Sequence, residues 1–160
     1  ITSGKSYNDV REALRWIGID ESRAKKLGLC IYKVGMPWPL EPQGVREFCE
    51  GLESILLVEE KRELIEHQVK WQLYNWKDTV RPTVVGKQDE NGDWLLPAEN
   101  DLPLQTIVEA ISKRLHKITG DSELLERLEW FKRRNEFQEQ TIAPIQRKPF
   151  FCSGCPHNSY

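Results

Sequence analysis

The sequence lacks an excess of charge of either sign, and it lacks any long apolar run. Its 23 lysines and arginines are nearly balanced by 25 aspartates and glutamates, which leaves a formal net charge of −2. This balance excludes the basic footprint of a nucleic-acid-binding domain and the composition of a disordered acidic tail. No apolar stretch approaches the ~20 residues of a membrane helix, and no charged-then-apolar leader is evident. We expect a soluble, cytoplasmic protein with no nucleic-acid or membrane partner.

The four cysteines do not have the spacing of a disulfide framework. Cys30 lies in the apolar run LCIYKV and Cys49 in the helical pattern VREFCEGL, so both are predicted to be small buried residues. Only Cys152 and Cys155, in FCSGCPHN, are close enough to act together. Such a pair can bind zinc, bind the iron of a cluster or form a redox disulfide, and His157 could add a third ligand. The residues alone leave these alternatives open.

Strand and helix patterns alternate over residues 1–119, which favours a three-layer α/β domain with a mainly parallel sheet. Residue 1 is an isoleucine in an apparent strand, and we interpret the chain as a piece of a longer polypeptide. We predict strands at residues 1–2, 29–34, 54–60 and 83–86, and helices from a Ser6 cap to Gly18 and at residues 43–52, 63–74 and 104–115.

The alternation of strand and helix patterns ends at Gly120, and a highly charged stretch follows. Asp121 can cap a charged helix whose apolar line is formed by Leu124, Leu128 and Phe131. A stretch with two prolines follows. We therefore predict a charged helix and linker over residues 120–149, acting as a tether between domains.

Gly4, Lys5 and Ser6 match the second half of a phosphate-binding loop, and they lie between a predicted strand and helix. The complete signature needs a glycine five positions before Gly4. The third predicted strand ends in glutamates instead of the aspartate that would hold magnesium. The tripeptide therefore predicts a modest anion site at a helix N-terminus.

Other strand ends carry residues of interest but no persuasive catalytic group. Glu59 and Glu60 are either a general acid/base pair or, as we favour, partners of Lys61 and Arg62 in ion pairs. Trp38 lies in the proline-rich turn GMPWPLEP and is a candidate interface anchor. We expect no catalytic residue in this chain.

Several stretches of the sequence together resemble the indolepyruvate ferredoxin oxidoreductases, a family of fused 2-oxoacid:ferredoxin oxidoreductases. The resemblance runs along essentially the whole chain, and its specific stretches are KVGMPWPLEP, VEEKRELIE and FCSGCPHN, with ITSGKSYNDVREAL and RPTVVGK in support. It implies a transketolase C-terminal-like domain over residues 1–119. Residues 120–149 would then be the charged helix and linker, and residues 150–160 the start of the following thiamine-diphosphate-binding domain.

The resemblance also implies a reaction for the parent enzyme. In this family thiamine diphosphate, held with magnesium, decarboxylates a 2-oxoacid; coenzyme A accepts the acyl group, and electrons pass through 4Fe-4S clusters to ferredoxin. Cys152 and Cys155 match the family's cluster-binding motif, and the other ligands would lie outside this chain. The Gly-Asp-Gly motif for magnesium and diphosphate is absent from the sequence. We thus expect an inactive, cofactor-free packing domain of a homo-oligomeric enzyme.

Two alternatives remain beside this interpretation. In the first, the crevice with Gly4, Lys5 and Ser6 binds an anion such as the phosphates of coenzyme A. In the second, Cys152 and Cys155 make the chain a small metal or redox protein.

Overall fold

A computed structural model describes residues 1–141 of the chain, and its centre is a set of short parallel strands. β1 pairs with β2 and β3 with β4, and a parallel bridge between Thr2 and Val58 joins the two pairs. The strands therefore lie in the order β2-β1-β3-β4. Their bounds are Thr2–Ser3 (β1), Lys33–Val34 (β2), Ser54–Leu56 (β3) and Thr83–Val85 (β4).

Helices connect these strands and follow the last one. Between β1 and β2 lie α1 and α2, α3 and α4 each precede the next strand, and α5 and α6 follow β4. Their bounds are Gly4–Trp16 (α1), Glu21–Lys26 (α2), Pro42–Cys49 (α3), Leu64–Leu73 (α4), Leu104–Thr119 (α5) and Glu123–Thr141 (α6). None of these helices combines the length and the hydropathy of a bilayer span.

Side chains alternate across the sheet and divide the core into two layers. Ile55 and Leu57 pack with residues of α3 and α4, whereas Leu56 and Val58 pack with residues of α1, α5 and α6. This alternation is the period of two expected for a strand with both faces covered. The predicted α/β class is confirmed. Its assignment to the transketolase C-terminal-like group stays a prediction.

The predicted helix ends are confirmed at positions where a glycine or a proline determines the end. Gly18, just after α1, and Gly120, at the end of α5, have φ of 71° and 69°, values that glycine adopts without strain. Pro42 is the first residue of α3. The predicted Ser6 cap is wrong, because α1 already begins at Gly4 after an extended Ser3. Ser6 is instead buried within the helix.

The second strand is shorter than predicted, and this changes the environment of one cysteine. β2 covers only Lys33–Val34, because residues 29–31 lie upstream of the point where β1 can pair with them. Cys30 is consequently exposed, so its predicted burial is wrong. Cys49 is fully buried at the end of α3, as predicted.

The apolar side of α6 belongs to the core of the preceding residues. Leu124, Leu128 and Phe131 are almost completely buried in the layer that also contains α1 and α5. Residue 120 therefore does not divide the core, and the described part of the charged helix packs on the domain where we expected a tether. The limits of the domains stay a prediction, since residues 142–160 lie outside the described part of the chain.

Candidate functional site

The carboxyl ends of β1, β3 and β4 lead into polar residues that meet at one edge of the sheet, here called the carboxyl edge. β1 leads to Lys5, β3 to Glu59 and Glu60, and β4 to Gly86 and Lys87. In open parallel sheets this edge is the usual place for a ligand. Its polar contacts therefore decide whether these residues form a binding site.

Lys5 is exposed and already has two acidic partners. Its Nζ lies 2.7 Å from Asp9 Oδ2 and 3.2 Å from Glu60 Oε1. Hydrogen bonds to these two carboxylates, with Asp9 the stronger influence, raise the pKa of Lys5. Two negative charges around one positive charge disfavour an incoming anion. The anion site at Gly4, Lys5 and Ser6 stays a prediction, and nothing in this geometry adds support to it.

Glu59 is buried and caps α4. Its Oε2 accepts the N–H of Ile65 at 2.9 Å and its Oε1 accepts the N–H of Glu66 at 3.0 Å. These bonds satisfy two of the free N–H groups at the start of the helix. Burial raises the pKa of Glu59, although the two N–H groups and the charge of Lys87 act in the opposite direction.

Lys87 is a buried amine that binds main-chain oxygens. Its Nζ donates to the carbonyl of Glu59 at 2.6 Å and to that of Pro97 at 2.9 Å. Burial lowers the pKa of Lys87, and the charges of nearby glutamates, Glu59 first, counteract this effect. The side chain thereby connects the end of β3 to a loop beyond β4.

Glu66 completes this buried polar group, and its position requires a glycine opposite. Its Oε2 accepts the main-chain N–H of Lys87 at 2.9 Å, and its Oε1 accepts a bond from Lys70 Nζ at 2.6 Å. A Cβ atom at Gly86 would lie 2.1 Å from Glu66 Oε2, a distance that no side chain tolerates. Gly86 is therefore the residue that lets the carboxylate reach the backbone of β4.

These contacts correct the interpretation of the two adjacent glutamates. Glu59 caps a helix and Glu60 pairs with Lys5, so the expected ion pairs with Lys61 and Arg62 do not form. Both oxygens of Glu59 accept N–H groups of α4, so nothing in this geometry adds support to the acid/base alternative. The carboxyl edge uses its charges to fix loops and a helix start.

Beside this edge lies an exposed apolar area, which we call the aromatic surface: Met36, Trp38, Leu64 and Trp71. Gln68 accepts the N–H of Leu40 and donates to the carbonyl of Pro37, both at 2.8 Å, and so holds the loop with Trp38 against α4. Leu64 and Trp71 are four residues before and three after Gln68, on the same helix face. Trp38 and Trp71 expose 66% and 79% of their area.

Among residues 1–136, whose side chains the structure describes, no three or more His, Cys, Asp or Glu side chains form a group that could hold a metal ion. We derive no step through thiamine diphosphate or its magnesium. Cys152, Cys155 and His157 lie outside the described part of the chain. Their roles as ligands stay predictions.

Comparison with known proteins identifies the family. The family described as the indolepyruvate ferredoxin oxidoreductase middle domain matches residues 1–144. The chain belongs to this family. It is 32% identical to the indolepyruvate oxidoreductase subunit IorA of Thermococcus kodakarensis and 32% identical to that of Pyrococcus horikoshii. The subunit IorA of Methanothermobacter marburgensis is 28% identical.

Each of these alignments covers 99% of this chain but 21% of the relative. The chain therefore spans about a fifth of the length of the curated relatives that it matches. No solved structure matches it.

Replacing Gly86 with alanine should destabilise the fold, because the new Cβ collides with the buried carboxylate of Glu66. We expect a loss of about 1–3 kcal/mol in the free energy of unfolding, the usual cost of overpacking. Chemical denaturation would measure it. Gly35→Ala is the matched control, since a Cβ there meets no atom within 4 Å. Equal stability of the two variants would contradict the assigned role of Gly86.

Replacing Glu59 with glutamine should change stability in a pH-dependent way. The pKa of Glu59 in the folded chain lies above its usual value of 4.5 because the carboxyl is buried. Protonation therefore favours the folded state, and this contribution is lost as pH rises from 4.5 through the folded pKa. Glutamine does not titrate. The stability of the unmodified chain relative to Glu59→Gln should thus fall as pH rises above 4.5. A constant difference in denaturation experiments would contradict this assignment.

Proposed function

We propose that this chain is one domain of a thiamine-diphosphate-dependent 2-oxoacid:ferredoxin oxidoreductase, and that the domain packs against the rest of the enzyme. The enzyme would convert an indolepyruvate-type 2-oxoacid and coenzyme A into acyl-CoA and CO2, with reduction of ferredoxin. Membership of the indolepyruvate ferredoxin oxidoreductase family supports the reaction class. The active site would be formed by other domains.

The observation that carries the packing role is the contrast between the carboxyl edge and the aromatic surface. At the edge, the side chains of Glu59, Glu66 and Lys87 each form a hydrogen bond to the backbone of another of the three. These side chains therefore stabilise the fold. Next to it, two tryptophans are mostly exposed. Large aromatic residues held on a rigid helix and a tethered loop are typical anchors of protein interfaces. The surface is therefore suited to contact with protein and not to catalysis.

The occupant that we propose for the aromatic surface is another domain of the same enzyme. The curated relatives extend far beyond the matched fifth, so most of such a polypeptide is available to cover it. The chain has a nearly balanced charge, so attraction between opposite charges would contribute little to the binding of a partner. We therefore expect the partner to bind by covering the apolar side chains. A homo-oligomeric parent, in which a second subunit shares this contact, is part of the proposal.

Replacing Trp38 or Trp71 with alanine in the full-length enzyme should weaken assembly and lower turnover, because each removes an anchor at a contact between domains. Loss of an anchor costs about 2 kcal/mol or more, roughly a 30-fold change in an association constant. Assembly would be measured by analytical ultracentrifugation and turnover by ferredoxin reduction with indolepyruvate and coenzyme A. Trp94→Ala is the matched control, since Trp94 is 70% exposed in a different loop. Unchanged assembly and unchanged turnover in both variants would refute the packing role.

Replacing Cys152 with serine in the full-length enzyme should remove iron and turnover together, if Cys152 and Cys155 ligate a 4Fe-4S cluster as proposed. Anaerobic analysis of iron and acid-labile sulfide would measure the cluster content. Cys49→Ser is the control, since Cys49 is buried in the apolar core of the domain. Full iron content in Cys152→Ser would reject the ligand assignment and leave the packing role intact.

A further inference from the structure

Helix α4 has apolar side chains on two opposite faces. Its inner face, with Ile65 and Val69, is buried in the core layer shared with α3. Its outer face carries Leu64, Trp71 and Tyr74, which are all exposed. Tyr74 directly follows the last helical residue and keeps helical dihedral angles, with φ of −54° and ψ of −42°. A helix of a soluble domain normally has one apolar and one polar face, so a second apolar face indicates burial on that side too.

The neighbouring helix of the same layer has a polar outer face. On α3, the exposed side chains of Gln43 and Glu47 form a hydrogen bond of 2.9 Å to each other. Side chains of this kind are satisfied by one another and by water. The outer face of α4 therefore differs from an ordinary solvent-facing helix surface.

The outer residues of α4 have the spacing of a coiled-coil seam. Three, four and three residues separate the successive positions of this seam, which are Leu64, His67, Trp71 and Tyr74. These separations match the alternation of a and d positions in a heptad. A second helix packs along such a seam at about 20° to the first. The occupant that fits this face is therefore another helix.

The seam is complementary to itself when two copies of α4 run antiparallel. Leu64 and Tyr74 are equally far from Val69 along the chain, and so are His67 and Trp71. Reversing one copy therefore places Leu64 opposite Tyr74 of the second copy, and His67 opposite its Trp71. Each contact joins a larger side chain to a smaller one, as close packing requires, whereas a parallel pair would set equal large rings against each other. Antiparallel helices also bring opposite ends of their dipoles together.

We propose that the outer face of α4 binds the same face of a second copy of this chain, with the two helices antiparallel about a two-fold axis at the level of Val69. Such an interface is isologous, because each copy contributes the same residues. The proposal rests on the packing role assigned above. It specifies the occupant of the aromatic surface as the same domain of a second subunit.

The residues beside the seam are compatible with this pair. Lys70 lies on one flank, where it would approach its counterpart, but its Nζ is 2.6 Å from Glu66 Oε1 and its charge is thereby compensated. Gln68 lies on the other flank and holds the loop with Trp38, so the two loops would meet beside the axis. Close to the axis, neither flank brings an uncompensated charge to its counterpart.

The exposed apolar area approaches what a stable dimer needs. A tryptophan or tyrosine side chain buries about 150–250 Å² when it is covered completely. Trp38, Trp71 and Tyr74 expose 66%, 79% and 73% of their area, so together they would bury roughly 400 Å² per copy, or about 800 Å² in the pair. Met36, Leu64 and the flanks can supply the remainder of the ~1,200 Å² of a specific interface.

Photocrosslinking in the full-length enzyme tests this arrangement. The photoreactive aromatic residue p-benzoylphenylalanine replaces Tyr74 in one variant and Leu64 in another; both positions are exposed, so the fold should tolerate the change. Irradiation should join two copies of the chain, which a denaturing gel shows as a doubled mass. Mass spectrometry should locate the bond from position 74 near Leu64 of the second copy, and the bond from position 64 near its Tyr74.

The matched control is the same replacement of Trp94, which is exposed in a different loop and should give no joined copies. Bonds between equal positions, 64 to 64 and 74 to 74, would indicate parallel helices and overturn the arrangement. Bonds to a different domain or a different subunit, or no bond at all, would also overturn it. These results leave the packing role itself intact, since that role fails only if Trp38→Ala and Trp71→Ala change neither assembly nor turnover.

Discussion

The ends of β3 and β4 depend on one buried amine. Lys87 Nζ binds the carbonyls of Glu59 and Pro97, while the main-chain N–H of the same residue binds Glu66 on α4. A buried amine without such partners would cost several kcal/mol, so its hydrogen bonds must form together with the fold. The two strands, the start of α4 and the loop at Pro97 are therefore fixed as one unit.

This unit gives the charged residues of the carboxyl edge a structural role. Both oxygens of Glu59 accept N–H groups at the start of α4. Lys5 and Glu60, the exposed pair at the same edge, neutralise each other. Glu59 fixes the start of α4, which carries Leu64 and Trp71, whereas Gln68 separately holds the loop with Trp38. Fixing α4 thus also positions part of the aromatic surface.

The sequence predicts those features that local rules control. Helical spacing located α1, α3, α4 and α5, four of the five helices of the first 119 residues, and Gly18, Pro42 and Gly120 gave ends that the structure confirms. The buried polar group could not be predicted in this way, because Lys87 meets partners 28, 21 and 10 residues away. A glycine directly after an apolar strand, at Gly86, was the only signal of close approach. The exposure of Cys30 was missed for a similar reason, since it depends on where β1 pairs.

The carboxyl edge and the aromatic surface beside it differ in what their groups lack. At the carboxyl edge, buried side chains satisfy backbone groups of α4 and of the ends of β3 and β4. At the aromatic surface, Trp38 and Trp71 expose 66% and 79% of their area, although Gln68 holds the loop with Trp38 against α4. Backbone groups need hydrogen-bond partners, which this domain supplies itself. Large aromatic side chains fixed in this way are suited to burial against a separate folded unit.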